Sequence, residues 1–168
     1  MGDSFWLDEP AEPLRSPRHE GHVDVAVVGG GVTGCSCALA LAEGGLRVRL
    51  HEARSIASGA SGRNGGFALR GGAMPYGAAR AKLGTEHAGK LWRLTERTLE
   101  RMEELAGDAL RRVGSLQLAA DRKERDELRA EYEALGSDGF AAEWIDVPGG
   151  PLAGRYEAAI LHPRDAAL

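Results

Sequence analysis

Apolar positions fall along the chain in two regimes. Val23–Val28 (V-D-V-A-V-V) is apolar except at Asp24, a pattern that predicts a parallel strand covered on both faces. Thr33–Glu43 is rich in Ala, Cys and Leu and predicts a closely packing helix, stopped by Gly44-Gly45. From Leu46 to Glu52, Leu46, Val48 and Leu50 alternate with Arg47, Arg49 and His51, which predicts a second strand with one more open face. Periodicity then lengthens. Ala78–Leu110 is expected to contain a long helix, with Leu91, Thr95, Thr98, Met102 and Leu105 on one face and Trp92, Leu94 and Leu99 widening it. Arg93–Glu96, Arg97–Glu100 and Arg101–Glu104 are spaced to pair on its solvent side. A strand is expected over Val113–Ala119, a charged, solvated helix from Arg122 to Leu135 ending at Gly136, and a strand over Phe140–Asp146. A Pro148–Pro151 turn and a last strand, Tyr156–His162, follow. Residues 1–22, with Pro10, Pro13 and Pro17, read as an extended arm, either anchored by Phe5, Trp6 and Leu7 or disordered.

The first strand runs into Gly29-x-Gly31-x-x-Gly34, and the second ends at Glu52, 18 residues after Gly34. A glycine triplet placed between strand and helix, with an acid at that distance, has a mechanism. Gly29 turns the chain off the strand, Gly31 lets the backbone approach a pyrophosphate, and Gly34 lets helix and strand pack closely. The amides of the helix's first turn then face the phosphates. Glu52 is placed to accept from the ribose hydroxyls, and its charge disfavours a 2′-phosphate and hence NADP. The competing reading is a glycine-rich turn in some other strand-helix-strand unit.

The net charge of −4 and the absence of a basic block give no nucleic-acid surface. No apolar run reaches the roughly 20 residues a membrane helix needs. No secretory pattern opens the chain, and Trp6 stands where a myristoylation site requires Ser or Thr. Cys35 and Cys37 point to nearly opposite sides of one helix, so no metal site is expected. Both read as buried packing residues in a reducing compartment, the cytoplasm by default. His19 and His22 lie in the arm, His51 beside a strand, His87 in a helix and His162 in a turn, so no catalytic residue is nominated.

Between Gly59 and Gly77 runs G-A-S-G-R-N-G-G-F-A-L-R-G-G-A-M-P-Y-G, costly to order without a ligand or partner. Arg63, Asn64 and Phe67 within it argue against a plain linker. With the glycine loop, Glu52, this S-G-R-N-G-G run and the F-W-L-D of the arm, the chain resembles the D-amino-acid-oxidase-like family of FAD-dependent oxidoreductases. Glycine, sarcosine and γ-glutamylputrescine oxidases belong to that family. The likeness spans nearly the whole chain, and its specific part is N-terminal.

The resemblance implies an α/β fold: a Rossmann-like FAD-binding βαβ start (23–77, after the arm 1–22) and the beginning of an α+β substrate domain (78–168), truncated. It implies that Gly29, Gly31, Val32, Thr33 and Gly34 cradle the FAD pyrophosphate and that Glu52 holds the adenosine ribose, with Ala53 and Arg54 beside it. Ser58, Ser61, Arg63 and Asn64 would follow the pyrophosphate and ribityl chain, with Gly65, Gly66 and Phe67 near the flavin ring. Arg63 stands where some related enzymes carry a His that attaches flavin covalently, which implies non-covalent FAD. The implied reaction is oxidation of a small amine or amino acid by hydride transfer to flavin. Family members continue well beyond the point matching Leu168. The expectation is therefore a fragment, a truncated product, or one piece of a split enzyme completed by a second polypeptide. The alternatives are a non-catalytic remnant or dinucleotide-binding subunit, and an NAD-dependent dehydrogenase, against which the Gly59–Gly66 run argues.

Overall fold

A computed structural model describes residues 21–146 and 148–168, so the anchoring role expected of Phe5, Trp6 and Leu7 lies outside the described residues. The chain divides into two compact units, one ending at Gly65 and the other running Gly66–Leu168.

In the first unit, β1 (Val25–Val28) and β2 (Val48–His51) pair in parallel, Val25 opposite Val48 and Val28 opposite His51. The crossover is α1 (Val32–Glu43). Parallel strands cannot be joined by a tight turn, so the helix is the connection the register demands. Asp24, the polar exception in the first apolar run, explains itself here. Its carboxylate accepts from the Arg47 backbone amide at 2.8 Å and from its guanidinium at 2.9 and 3.2 Å, clamping the mouths of the two strands together. The helix ends as expected: Gly44 donates to Ala40, and Gly45 takes φ +85°, a conformation open to glycine.

Burial in this unit departs from the sequence reading. β1 alternates half-buried and exposed positions, Val28 is 86% exposed, and Gly30 is the one buried residue between 21 and 65. Two strands and one helix cover each other on one side only, so the two-sided cover expected of β1 is not met among the described residues. Cys35 is half-buried and Cys37 exposed, both as free thiols, which corrects their reading as buried.

The second unit holds a conventional interior. The long helix expected within 78–110 is α3 (Thr85–Ala106); a shorter one, α2 (Tyr76–Leu83), precedes it, and the two are separated at Gly84, which adopts φ +79°. On α3 the buried residues are Ala88, Gly89, Trp92 and Leu99, while Leu91, Leu94 and Leu105 are exposed. The buried stripe is thus rotated from the one expected. Arg101 pairs with Glu104 at 2.9 Å as the spacing predicts, but Glu96 turns inward to Arg70 and Arg164. After β4 (Ser115–Ala119) comes α4 (Arg122–Ser137). Asp121 caps it by accepting from the Glu124 amide, and Glu124 returns a bond from the Ala120 amide.

The sheet is antiparallel, with β6 (Ala158–His162) between β4 and β5 (Glu143–Ile145). Ala119, Ala158 and Ile160 pack with Leu128 of α4. Tyr76, Ala79, Ala88, Trp92, Leu135 and Phe140 form a second cluster, where the Tyr76 ring meets Trp92 at 4.9 Å and Phe140 at 5.0 Å. A two-residue ribbon, β3 (Phe67–Ala68) with β7 (Ala166–Ala167), was not foreseen. It packs Ala68 and Ala166 with Leu99 and Leu110.

Candidate functional site

The first unit is built around its glycine turn. Gly29 takes φ +104° and donates to the His51 carbonyl at 2.8 Å, which turns the chain sharply off β1. Gly34 sits so close to that turn that a Cβ there would lie 1.9 Å from the Gly29 carbonyl oxygen; no side chain fits. Gly31 is the cap of α1, and its carbonyl accepts the first helical bond from Cys35 at 2.9 Å. Gly31 has no side chain with which to cap the helix and no acid stands in its first turn, so no charge within the helix neutralises its positive end. The Val32 amide donates to Ser61 Oγ at 2.9 Å, so a hydroxyl oxygen from the glycine-rich run already sits where a helix N-terminus receives an anion's oxygen. Thr33 is exposed beside it.

Glu52 closes the turn from the other strand. Its Oε2 accepts from Gly30 N at 2.7 Å and its Oε1 from Arg54 N at 2.8 Å. The Gly30 amide first, then that of Arg54, hold the carboxyl below the usual carboxylate range. Each oxygen keeps a second lone pair, so an ionised Glu52 can hold the loop and accept a hydroxyl as well. Ala53 and Arg54 are exposed next to it.

Beyond Glu52 the chain returns over the turn. Ala57 donates to the Gly30 carbonyl at 2.9 Å and takes φ +59°, an uncommon conformation for a residue with a Cβ. Ser58 Oγ is buried without a hydrogen-bond partner among the described residues. A buried hydroxyl of that kind is costly unless something accepts or donates to it. Asn64 Nδ2 donates to the Ser61 carbonyl at 2.7 Å, and exposed Arg63 closes the short turn Ala60–Gly62. Ser58, Ser61, Arg63, Asn64 and Gly65 thus belong to the same unit as the glycine turn. Gly66 and Phe67 belong to the second unit, where Gly66 accepts from the Leu168 amide and Phe67 is 74% exposed on β3.

Three contributors escaped the sequence reading. At Gly30 a Cβ would meet Ile56 Cδ1 at 2.5 Å and Glu52 Cβ at 3.2 Å, so a side chain there requires Ile56 to shift. The signal was the unbroken Gly29-Gly30-Gly31 triplet. Ile56 and Ala57 carry none.

A separate polar cluster lies in the second unit. Arg70, 1% exposed at its side chain, binds Glu96 at 3.0 Å, the Ala141 carbonyl at 2.8 Å and His162 Nδ1 at 3.1 Å. Asp165 accepts from the Arg70 amide at 2.9 Å and from Ser115 Oγ at 2.6 Å. His162, expected both to end the last strand and to lie in a turn, is the last residue of β6. Burial, then Arg70, pushes its pKa below that of an ordinary histidine, against the opposing pull of Asp165.

A parallel βαβ unit with a glycine turn between its first strand and its helix, and an acid just past its second strand, has the arrangement of a Rossmann-type start. The profile of the FAD dependent oxidoreductase family, DAO, matches residues 24–168, and the chain belongs to that family. The probable oxidoreductase OrdL of Haemophilus influenzae is 35% identical over 74% of this chain and 30% of its own length. The γ-glutamylputrescine oxidoreductase of Escherichia coli is 65% identical over 43 residues, 26% of this chain and 10% of its own. Among solved structures, glycine oxidase from Geobacillus kaustophilus superposes with a TM-score of 0.62 at 26% identity, over 86% of this chain and 40% of that one. L-amino acid deaminase from Proteus vulgaris shares the fold, with a TM-score of 0.66 at 21% identity, over 94% of this chain and 37% of that one. The chain therefore spans about a third of the length of the first-named relative and two fifths of that of glycine oxidase.

Proposed function

We propose that the chain carries the cofactor-binding start of an oxidoreductase that oxidises a small amine or amino acid. The observation that carries this reading is the Val32 amide of a glycine-capped helix meeting Ser61 Oγ, beside a Glu52 that retains acceptor capacity and a Ser58 hydroxyl without a partner among the described residues. Those groups fit FAD. Gly29, Gly31, Val32, Thr33 and Gly34 would line its pyrophosphate through main-chain groups. Glu52 would accept from the ribose, flanked by Ala53 and Arg54. Ser58, Ser61 and Asn64 would satisfy phosphate and ribityl oxygens, Arg63 would add a charge-assisted bond, and Gly65, Gly66 and Phe67 would approach the ring. When bound, flavin supplies the hydride acceptor. The chain's own residues bind and orient it.

Arg63 stands in place of an attaching histidine, so FAD is held non-covalently in this reading. Residues 78–168 form the start of a substrate domain in this reading, and further polypeptide covers the open faces of β1 and α1. Two free thiols on α1 suit a reducing compartment, the cytoplasm. Those open faces, with Val28 and Val32 largely exposed, also favour a second reading: a dinucleotide-binding piece that is inactive alone.

The test is flavin content. The purified chain should carry FAD that acid or heat releases in full, and Gly31→Val should lose it by filling the space between turn and diphosphate. Unchanged flavin in Gly31→Val, or flavin that stays with the denatured chain, would overturn the respective assignment.

A further inference from the structure

The Val32 amide that the cofactor reading offers to a diphosphate is already held. It donates to Ser61 Oγ at 2.9 Å, and a Cβ built at Gly31 would lie 3.2 Å from that same oxygen. The Ser61 hydroxyl therefore fills the space over Gly31 as well as the hydrogen bond of the first amide of α1. One N–H makes one short, straight hydrogen bond, so Ser61 Oγ and a phosphate oxygen exclude each other there.

The backbone beneath the hydroxyl is fixed separately. The Ala57 amide donates to the Gly30 carbonyl at 2.9 Å, which ties the start of this segment to the glycine turn. Asn64 Nδ2 donates to the Ser61 carbonyl at 2.7 Å and the Arg63 amide to the Ala60 carbonyl at 3.2 Å, which closes the turn around Ser61. None of these bonds uses the Ser61 side chain. Its χ1 torsion has three staggered wells, so the hydroxyl can leave Val32 without opening the segment. The same segment carries two costs as it stands: Ala57 at φ +59° and a buried Ser58 Oγ without a partner among the described residues. A ligand oxygen reaching Ser58 would remove the second.

We propose that Ser61 is a movable cap: its hydroxyl and a diphosphate oxygen exchange on the Val32 amide, the hydroxyl turning about χ1 to donate its own hydrogen to the phosphate. Only hydrogen bonds change hands. Ser61 is thus a positioning residue that gives up one bond on entry and gains another afterwards, so it governs the rate of uptake and release more than the affinity. FAD as the ligand rests on the cofactor reading above; the exchange itself needs only a diphosphate.

The test uses the whole chain and two probes, inorganic pyrophosphate and FAD. Pyrophosphate, followed by NMR, should move the Val32 amide resonance and switch the Ser61 Hα–Hβ couplings from one rotamer to another. Ser61→Ala removes the cap at a half-buried turn position, with far-UV circular dichroism as the folding control. Its association with FAD, followed by stopped-flow flavin fluorescence, should be about three- to tenfold faster, the worth of one neutral hydrogen bond no longer broken on entry. Release should quicken by a similar factor, which leaves Kd nearly unchanged. Faster release with unchanged association would make Ser61 an ordinary phosphate ligand and overturn the exchange. A shifted Val32 amide with unmoved Ser61 couplings, or pyrophosphate that moves neither, would do the same. A chain that takes up no FAD but gives both pyrophosphate responses loses the cofactor reading and keeps the exchange.

Discussion

The two units reach order by different means. The first is held by backbone: glycines that admit no side chain, amides caught by Glu52, and an Asp24–Arg47 clamp, with Gly30 the one buried residue among those described. The second is held by side chains, in three buried clusters centred on Trp92, Leu99 and Ile160. Hydrophobic burial contributes roughly 1.5–3 kcal/mol per large side chain, so the second unit has a source of stability that the first draws on far less. A site made of main-chain groups must be shaped by steric exclusion, and its strength then depends on what binds or covers it.

The largest expected effect tests the second unit. Trp92 packs on Tyr76 and lies beneath Gly71, where a Cβ would come within 2.6 Å of its ring. Trp92→Ala should cost about 3–5 kcal/mol, read by urea unfolding. Hydrogen exchange in residues 21–65 should be unchanged. A loss below about 1 kcal/mol would mean that the clusters do not carry this unit.

Next comes Glu131, a buried carboxylate that caps a helix far from it in sequence. Its oxygens accept from the Tyr76 and Gly77 amides at 2.5 and 2.6 Å, at the N-terminus of α2. Glu131→Gln keeps one acceptor and turns a donor toward the other amide, so about 1–3 kcal/mol should be lost. Exchange should rise first in Tyr76–Leu83; a uniform rise across the second unit would instead indicate general loosening.

That cap also marks how far the sequence could be read. The glycine turn and Glu52 were legible because their constraints are local: a turn, a close approach, a fixed spacing. Gly30 hid among its neighbours, and the Ser61 contact to Val32 joins residues whose roles no periodicity links. The long helix was legible from its period, while the short helix ahead of Gly84, which takes φ +79°, was not separated from it. Glu131 read as one charge among many on a solvated helix, and His162 as a strand-end or turn residue. Their partners lie 45 to 92 positions away, a distance that pattern does not reach.

The His162 network predicts a pH dependence confined to the second unit. Its pKa is lowered in the fold by burial and then by Arg70, so below about pH 6.5 the unfolded chain binds a proton that the folded one does not. Stability should therefore fall as pH drops through that value and level off below the folded pKa. The charged groups around the ring are Arg70 and Asp165, with Glu96 and Arg164 behind Arg70. His162→Gln should flatten the slope just below about pH 6.5, measured by urea midpoints. An unchanged slope would place the titrating group elsewhere.

The smallest effect returns to the first unit and separates its two roles for Glu52. Glu52→Gln keeps one acceptor oxygen, and its amide would oppose either the Gly30 or the Arg54 N–H. Because Gly34 and Gly29 fix the turn sterically, the loop should persist, and FAD should weaken by roughly three- to tenfold rather than be lost, the worth of one hydrogen bond. Gly31→Val, by contrast, should abolish retention while leaving Glu52 untouched. Equilibrium dialysis against FAD on both variants, with far-UV circular dichroism as the folding control, separates the outcomes. Equal losses with reduced helix content would mean that Glu52 chiefly holds the turn together. A larger loss for Glu52→Gln at full helix content would make the ribose contact, not the main-chain cradle, the principal source of affinity.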